Sequence, residues 1–334
     1  MRTKKTYLDI LRILAITMVF HFHFVIILEN KGFLFGFANG DWGCVGTSLF
    51  FLISGNCLAR NYGKKLDVKG FYIKRWLAIF PAFYLCYVLG LLVYIVLLRV
   101  NVWAGLEPWR AIFTLLGVDN YMNFLGVRNG ALVGEWYTAI ILVIYLLFPL
   151  LQFLYRKSKV LGTVLVFGLY VLNLIFVWGK VPDDAHPLTG MALFWLGMLI
   201  YHFEEKLEKM PPLILALILG IAVCLLIVPL PGVQLVLKNA MAICIFLIFM
   251  RTEPLLEGKK LPGVIGFLSR IEYGIYLCHH IAMYVLRHLF LIFLGGINPI
   301  LYYVACLVGT LVAAVILMQL SGFIVDRTKR LIKK

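Results

Sequence analysis

Arg12 and His23 sit in one apolar segment of a chain that keeps most of its charge out of such segments. The stretch reads Asp9-Ile-Leu-Arg12, then ten residues, then His23. A helix turns about 100° per residue, so a spacing of eleven closes to within roughly 20° of three full turns. The two side chains therefore share one stripe, about 16 Å apart along the axis. His21, nine residues after Arg12, points to the opposite side. A guanidinium pairs with phosphate or carboxylate in a two-pronged fork. An imidazole titrates near 6.5 in water and serves as a general base when neutral. Ionisable groups inside a membrane span are costly to place and mark function by default. Interfacial histidines with an arginine that stretches to the headgroups would also account for the pair.

Four further elements carry polar chemistry among apolar residues. Phe50-Phe-Leu-Ile-Ser54-Gly55 offers a hydroxyl beside a glycine, which admits a close ligand or a close helix. Lys74-Arg75-Trp-Leu-Ala78-Ile-Phe-Pro81 puts two cations at the start of a span. They suit either a phosphate clamp or simple membrane anchoring. Gly134-Glu135-Trp136-Tyr137 puts a carboxylate beside a tryptophan at the mouth of another span. That carboxylate could orient His23, bind a hydroxylated acceptor, or merely be solvated. Ser269 to His280 holds Glu272, Tyr273, Tyr276, His279 and His280. Adjacent histidines on a helix point about 100° apart, which disfavours shared chelation.

The elements that must position these groups are membrane helices. The chain is 63% hydrophobic and 14% charged over 334 residues, far from the composition of a soluble domain. Ten candidate spans are expected, at 8–28, 43–59, 76–98, 136–154, 160–178, 187–203, 212–229, 234–250, 272–294 and 299–325. The second is short, and its Gly46, Ser54 and Gly55 leave room for irregular backbone. The fold class is therefore all-α and integral to the membrane, a single polytopic domain over residues 1–334. The net charge of +15 needs no nucleic-acid partner. With the N-terminus inside, 23 of the 31 basic residues fall in inner connections and five in outer ones. That asymmetry predicts N-in and C-in, and hence an even number of spans. The first span has no cleavage site and is expected to be retained. The seven cysteines are odd in number, lack a Cys-x-x-Cys pair and lie mostly in apolar runs. They read as small hydrophobes, not as a disulfide or zinc framework. The long outer connection 99–135, with Trp103, Trp109, Asn120, Tyr121, Asn123 and Asn129, suits interfacial anchoring or a sugar-binding lip.

In order and spacing these elements resemble the membrane-bound acyltransferase-3 family, bacterial integral-membrane enzymes many of which O-acetylate cell-surface glycans. The resemblance spans essentially the whole chain. It includes Arg12 and His23 in the first span, Phe50 to Gly55 in the second, and the basic element from Arg75 to Pro81. Trp136 at the fourth span and Tyr273 to His279 complete it. Two positions depart from the pattern: Ala78 stands where a second arginine is usual, and Glu272 where a serine precedes the late tyrosine. The resemblance implies an O-acetyltransferase of the bacterial plasma membrane that uses cytoplasmic acetyl-coenzyme A. The acceptor would be a hydroxyl of a cell-surface or lipid-linked glycan, with no metal. On this reading His23 is the general base and Glu135 its catalytic partner. Arg12, Lys74 and Arg75 grip the donor, and Asp9, Ser54, Gly55, Trp136, Tyr276 and His279 support the site. A transporter or flippase for a polysaccharide precursor is the rival class, since intramembrane Arg and His also build proton relays. No matching halves with paired broken helices support that rival.

Overall fold

The computed structural model describes residues 5–29, 41–133, 136–176, 181–227, 234–256 and 263–332. Among these residues there are no strands and ten helices of sixteen residues or more. We label them α1 (Thr6–Ile27), α2 (Trp42–Tyr62), α3 (Val68–Val93), α4 (Trp136–Lys157) and α5 (Lys159–Ile175). The remainder are α6 (Pro187–His202), α7 (Pro212–Ile227), α8 (Gln234–Met250), α9 (Gly263–Leu294) and α10 (Pro299–Ile332). Each expected span coincides with one of them. Six (α1, α2, α3 with its extension to Leu98, α4, α9 and α10) are long and apolar enough to cross a bilayer; the other four are shorter apolar helices. The second span, where irregular backbone had room to form, is one unbroken helix.

Local sequence sets the helix ends. Asp67 caps α3 by accepting a hydrogen bond from the Gly70 amide at 3.1 Å. Ser158 separates α4 from α5 and accepts from Leu161 N at 3.2 Å. Asn298 takes the amides of Ile300 and Leu301, both at 3.1 Å, and Pro299 opens α10. Side-chain caps satisfy amides that a helix cannot bond internally, and proline is at home in the first turn. Large apolar side chains such as Leu146, Val160, Leu213, Phe293 and Phe323 lie on outward faces. In water they would be a liability; in lipid they are at rest.

The chain divides into two compact units, residues 1–66 with 143–270, and residues 67–142 with 271–334. In the first, α2 is the central helix and packs on α1, α6 and α8. Glycines let the backbones close. A Cβ on Gly55 would lie 1.8 Å from the Phe194 carbonyl oxygen, and one on Gly197 would lie 2.1 Å from that of Leu52. Gly46 meets α1 in the same way, against the Ala15 carbonyl oxygen at 2.7 Å. In the second unit α3 packs on α10. There the Tyr302 hydroxyl donates to the Met283 carbonyl at 2.7 Å, joining α10 to α9.

Candidate active site

In the first unit the chemistry gathers where α1 begins. Lys5 provides no side-chain cap. The Glu253 carboxylate takes over, accepting the amides of Thr6 at 3.2 Å and Tyr7 at 2.9 Å. A carboxylate there satisfies two unbonded amides and faces the positive end of the helix dipole. One turn further on, Asp9 is 2% exposed. Its Oδ1 accepts from Arg12 Nη1 at 2.9 Å and from Ser269 Oγ at 2.7 Å. Arg12 Nη2 also reaches Cys57 Sγ on α2 at 3.2 Å. A buried carboxylate needs a paired cation and donors, and Asp9 has both. The guanidinium is held in place by these contacts. Above it, α1 runs without a break to His23, which is half-buried with its ring edge-on to Phe22. His21 is buried.

On α2, Ser54 is half-buried, and Gly55 is a packing residue whose missing side chain is the contact with α6. Close to the same end of the unit lies Arg60, which sequence reasoning did not select. It donates to Asn56 Oδ1 at 2.8 Å, to the Tyr7 hydroxyl at 3.0 Å and to Glu204 Oε1 at 2.5 Å. The guanidinium also lies 4.8 Å from the centre of the Tyr201 ring.

A second polar cluster in this unit involves Lys238, buried near the start of α8 and ion-paired with Asp41. Beside it Ser48 donates to Asn239 Oδ1 at 2.9 Å, and Asn239 Nδ2 reaches the Tyr170 hydroxyl at 3.2 Å. Asp184, in the connection before α6, has its carboxyl pushed up to about 6, first by burial and then by the charge of Asp41. Lys238 had a visible signal, being an ammonium inside an apolar segment. Glu204, Glu253 and Ser269 had none, because their partners stand 144 to 260 residues away in sequence.

The second unit holds the other expected residues. Lys74 is exposed on α3; Arg75 is half-buried, its guanidinium 5.9 Å from the Phe71 ring centre. Trp136 is the first residue of α4 and half-buried. Glu135, the expected catalytic carboxylate, and Gly134 lie outside the described residues. The Tyr276 hydroxyl shares a hydrogen bond with Thr138 Oγ1 at 3.1 Å, and its ring meets those of Tyr137, Tyr273 and His279. His279 is buried, with Nδ1 2.7 Å from the Tyr276 carbonyl oxygen. A carbonyl only accepts, so Nδ1 carries the proton, and in the neutral ring Nε2 keeps its lone pair.

Residues 99–133 are stitched to one another and to α3. Trp103 Nε1 donates to the Tyr87 hydroxyl at 2.8 Å, which donates to Gly130 O at 2.6 Å. Asn129 spends its amide on the carbonyls of Asp119 and Val127, and Asn120 on that of Val133. Asp119 is fully buried, and burial pushes its carboxyl up to about 6. Trp103, Asn120 and Asn129 are thus structural, while Trp109 stays exposed.

Apolar helices with ionisable groups embedded among them define a multi-pass membrane protein with a polar site inside it. A family model described as an acyltransferase domain, Acyl_transf_3, matches residues 5–319, and the chain belongs to that acyltransferase-3 family. It is similar to Nodulation protein 10 of Rhizobium leguminosarum bv. viciae, 25% identical over 74% of this chain and 76% of that protein. No solved structure matches the chain.

Proposed function

We propose that this membrane acyltransferase moves an acetyl group from cytoplasmic acetyl-coenzyme A to a hydroxyl of a cell-surface or lipid-linked glycan. His23 is the general base, and the membrane is the bacterial plasma membrane, crossed ten times with both termini inside. The observation that carries this reading is the ion pair between buried Asp9 and half-buried Arg12 on the helix that continues to His23. It supplies a fixed cation at the more basic end of the unit and an imidazole three turns further along one stripe. Arg12 is the candidate partner of donor phosphate in the first unit. Lys74 and Arg75 are the candidates in the second.

In the reaction, neutral His23 accepts the proton of the acceptor hydroxyl as that oxygen attacks the thioester carbonyl. The carbon–sulfur bond then breaks, and the coenzyme leaves as a thiol after taking up a proton. A histidine in this role is typically worth about 10²–10⁴-fold in rate. Direct transfer requires one base and is the route we adopt. The test is His23→Ala in purified protein supplied with labelled acetyl-coenzyme A and a glycan acceptor. Transfer should fall by about 10²-fold or more at unchanged membrane levels. Retained transfer would remove His23 as the base.

A further inference from the structure

One cavity of the first unit lies away from the Asp9–Arg12 pair. It is a cleft of about 450 Å³ between the end of α2, the junction of α4 and α5, and the end of α6 with the turn after it. That volume falls within the usual range of small-molecule sites, roughly 300–1,000 Å³. Its walls carry Arg60, Lys64, Lys159 and Lys206 against Glu204 and Glu205. Arg60 and Glu204 are bound to each other. The charge facing the cleft is therefore three ammonium groups against the Glu205 carboxylate. Two of the ammonium groups are braced by aromatic rings, Lys159 Nζ at 4.9 Å from the centre of Tyr155 and Lys206 Nζ at 5.9 Å from that of Phe203. Bracing of this kind orients a cation while leaving its three N–H donors for a ligand. Several ammonium groups around one cavity suit a ligand with more than one phosphate.

The cleft also shares one residue with the surroundings of the Asp9–Arg12 pair. Arg60, in its wall, donates to the hydroxyl of Tyr7, five residues before Arg12 on α1. Five residues are about 7.5 Å of helix.

We propose that this cleft is a phosphate pocket for the acyl donor, additional to Arg12. It would take the phosphorylated adenosine end of a coenzyme A thioester on Lys64, Lys159 and Lys206. The proposal rests on the coenzyme-donor reading above. The same ammonium groups would suit the phosphate of an anionic lipid headgroup, so the experiment has arms for both sources.

The probe is labelled adenosine 3′,5′-bisphosphate, which has two of the coenzyme's three phosphates and no thioester. Its binding is measured on the full-length protein in phosphatidylcholine nanodiscs, for the wild type and for Lys64→Gln with Lys159→Gln. Retention of spin-labelled phosphatidylglycerol by both proteins is measured in parallel. Saturable probe binding that weakens about tenfold or more in the double variant supports the pocket. The same Kd in both proteins overturns it, as does a wild type that binds no probe. Phosphatidylglycerol retention lost in the variant, without probe binding by the wild type, makes the cleft a headgroup site and overturns the proposal. Probe binding without any acetyl transfer from acetyl-coenzyme A keeps the pocket and removes the donor reading. Transfer with an unchanged donor KM in the double variant keeps the donor reading and removes the pocket.

Discussion

Replacing Gly55 with alanine tests whether the Ser54-Gly55 element is a packing device or a place for ligand. The added methyl would stand 1.8 Å from the Phe194 carbonyl oxygen, where an ordinary contact begins near 3.4 Å. The seam between α2 and α6 would have to open by about 1.6 Å, the difference of those two distances. The obstacle is backbone, with no rotamer that swings aside. Overpacking costs about 1–3 kcal/mol, and a rigid obstacle belongs at the upper end. Alanine returns about 1 kcal/mol of helix propensity. A net loss of about 2 kcal/mol follows, or roughly 4–8 °C in unfolding midpoint. The buried thiols of Cys44, Cys244 and Cys306 provide the assay, because a thiol-reactive dye lights up only as they become exposed. Gly168→Ala is the control. No atom lies within 4 Å of its added methyl, so only the helix-propensity gain remains and the midpoint should rise by about 2–4 °C. Gly55→Ala unfolding at the wild-type midpoint would refute the packing argument. That result, joined to weakened substrate binding, would assign the glycine to ligand.

Three other outcomes follow from the same reasoning. Asp9→Asn keeps an oxygen for Ser269 but removes the Asp9 charge that pairs with Arg12. We expect the donor KM to rise about tenfold, from a loss of about 1–2 kcal/mol after allowing for the partial exposure of Arg12. Initial-rate kinetics with an unchanged donor KM would free Arg12 from dependence on Asp9. Glu253→Ala removes the acceptor for the first two amides of α1 and should cost about 0.5–2 kcal/mol in the thiol-exposure assay, whereas Glu253→Gln should lose less. Asp119, raised from 3.8 to about 6 by burial, binds its proton more tightly folded than unfolded. Its ionisation therefore erodes stability as pH rises from about 4 to 6, by about 3 kcal/mol at most. Asp119→Asn should flatten that slope in midpoints measured from pH 4.5 to 7.5; an identical slope in the variant would show that Asp119 is not its source.

Much of the scaffold was legible in the chain itself. Span-length apolar runs punctuated by Asp67, Ser158, Asn298 and several prolines mark ten helices, because membrane thickness and capping chemistry are local constraints. The family was legible too, from the order of Arg12, His23, Phe50 to Gly55, Arg75 to Pro81 and Tyr273 to His279. The eleven-residue spacing placed Arg12 and His23 on one stripe because helical geometry is periodic. What surrounds the Asp9–Arg12 pair was not legible. Asp9, three residues from Arg12, could be guessed, but Cys57, Ser269 and the Glu253 cap come from other helices brought near by folding. Gly55 read equally well as a ligand contact or a packing contact until Phe194 stood against it. The basic cleft is the furthest case, since Lys64, Lys159 and Lys206 look like ordinary anchors in three separate connections. Periodicity and composition act over a few residues and can be read in order. Which distant charges share a cavity depends on how helices dock, and that is decided by the packing of the whole unit.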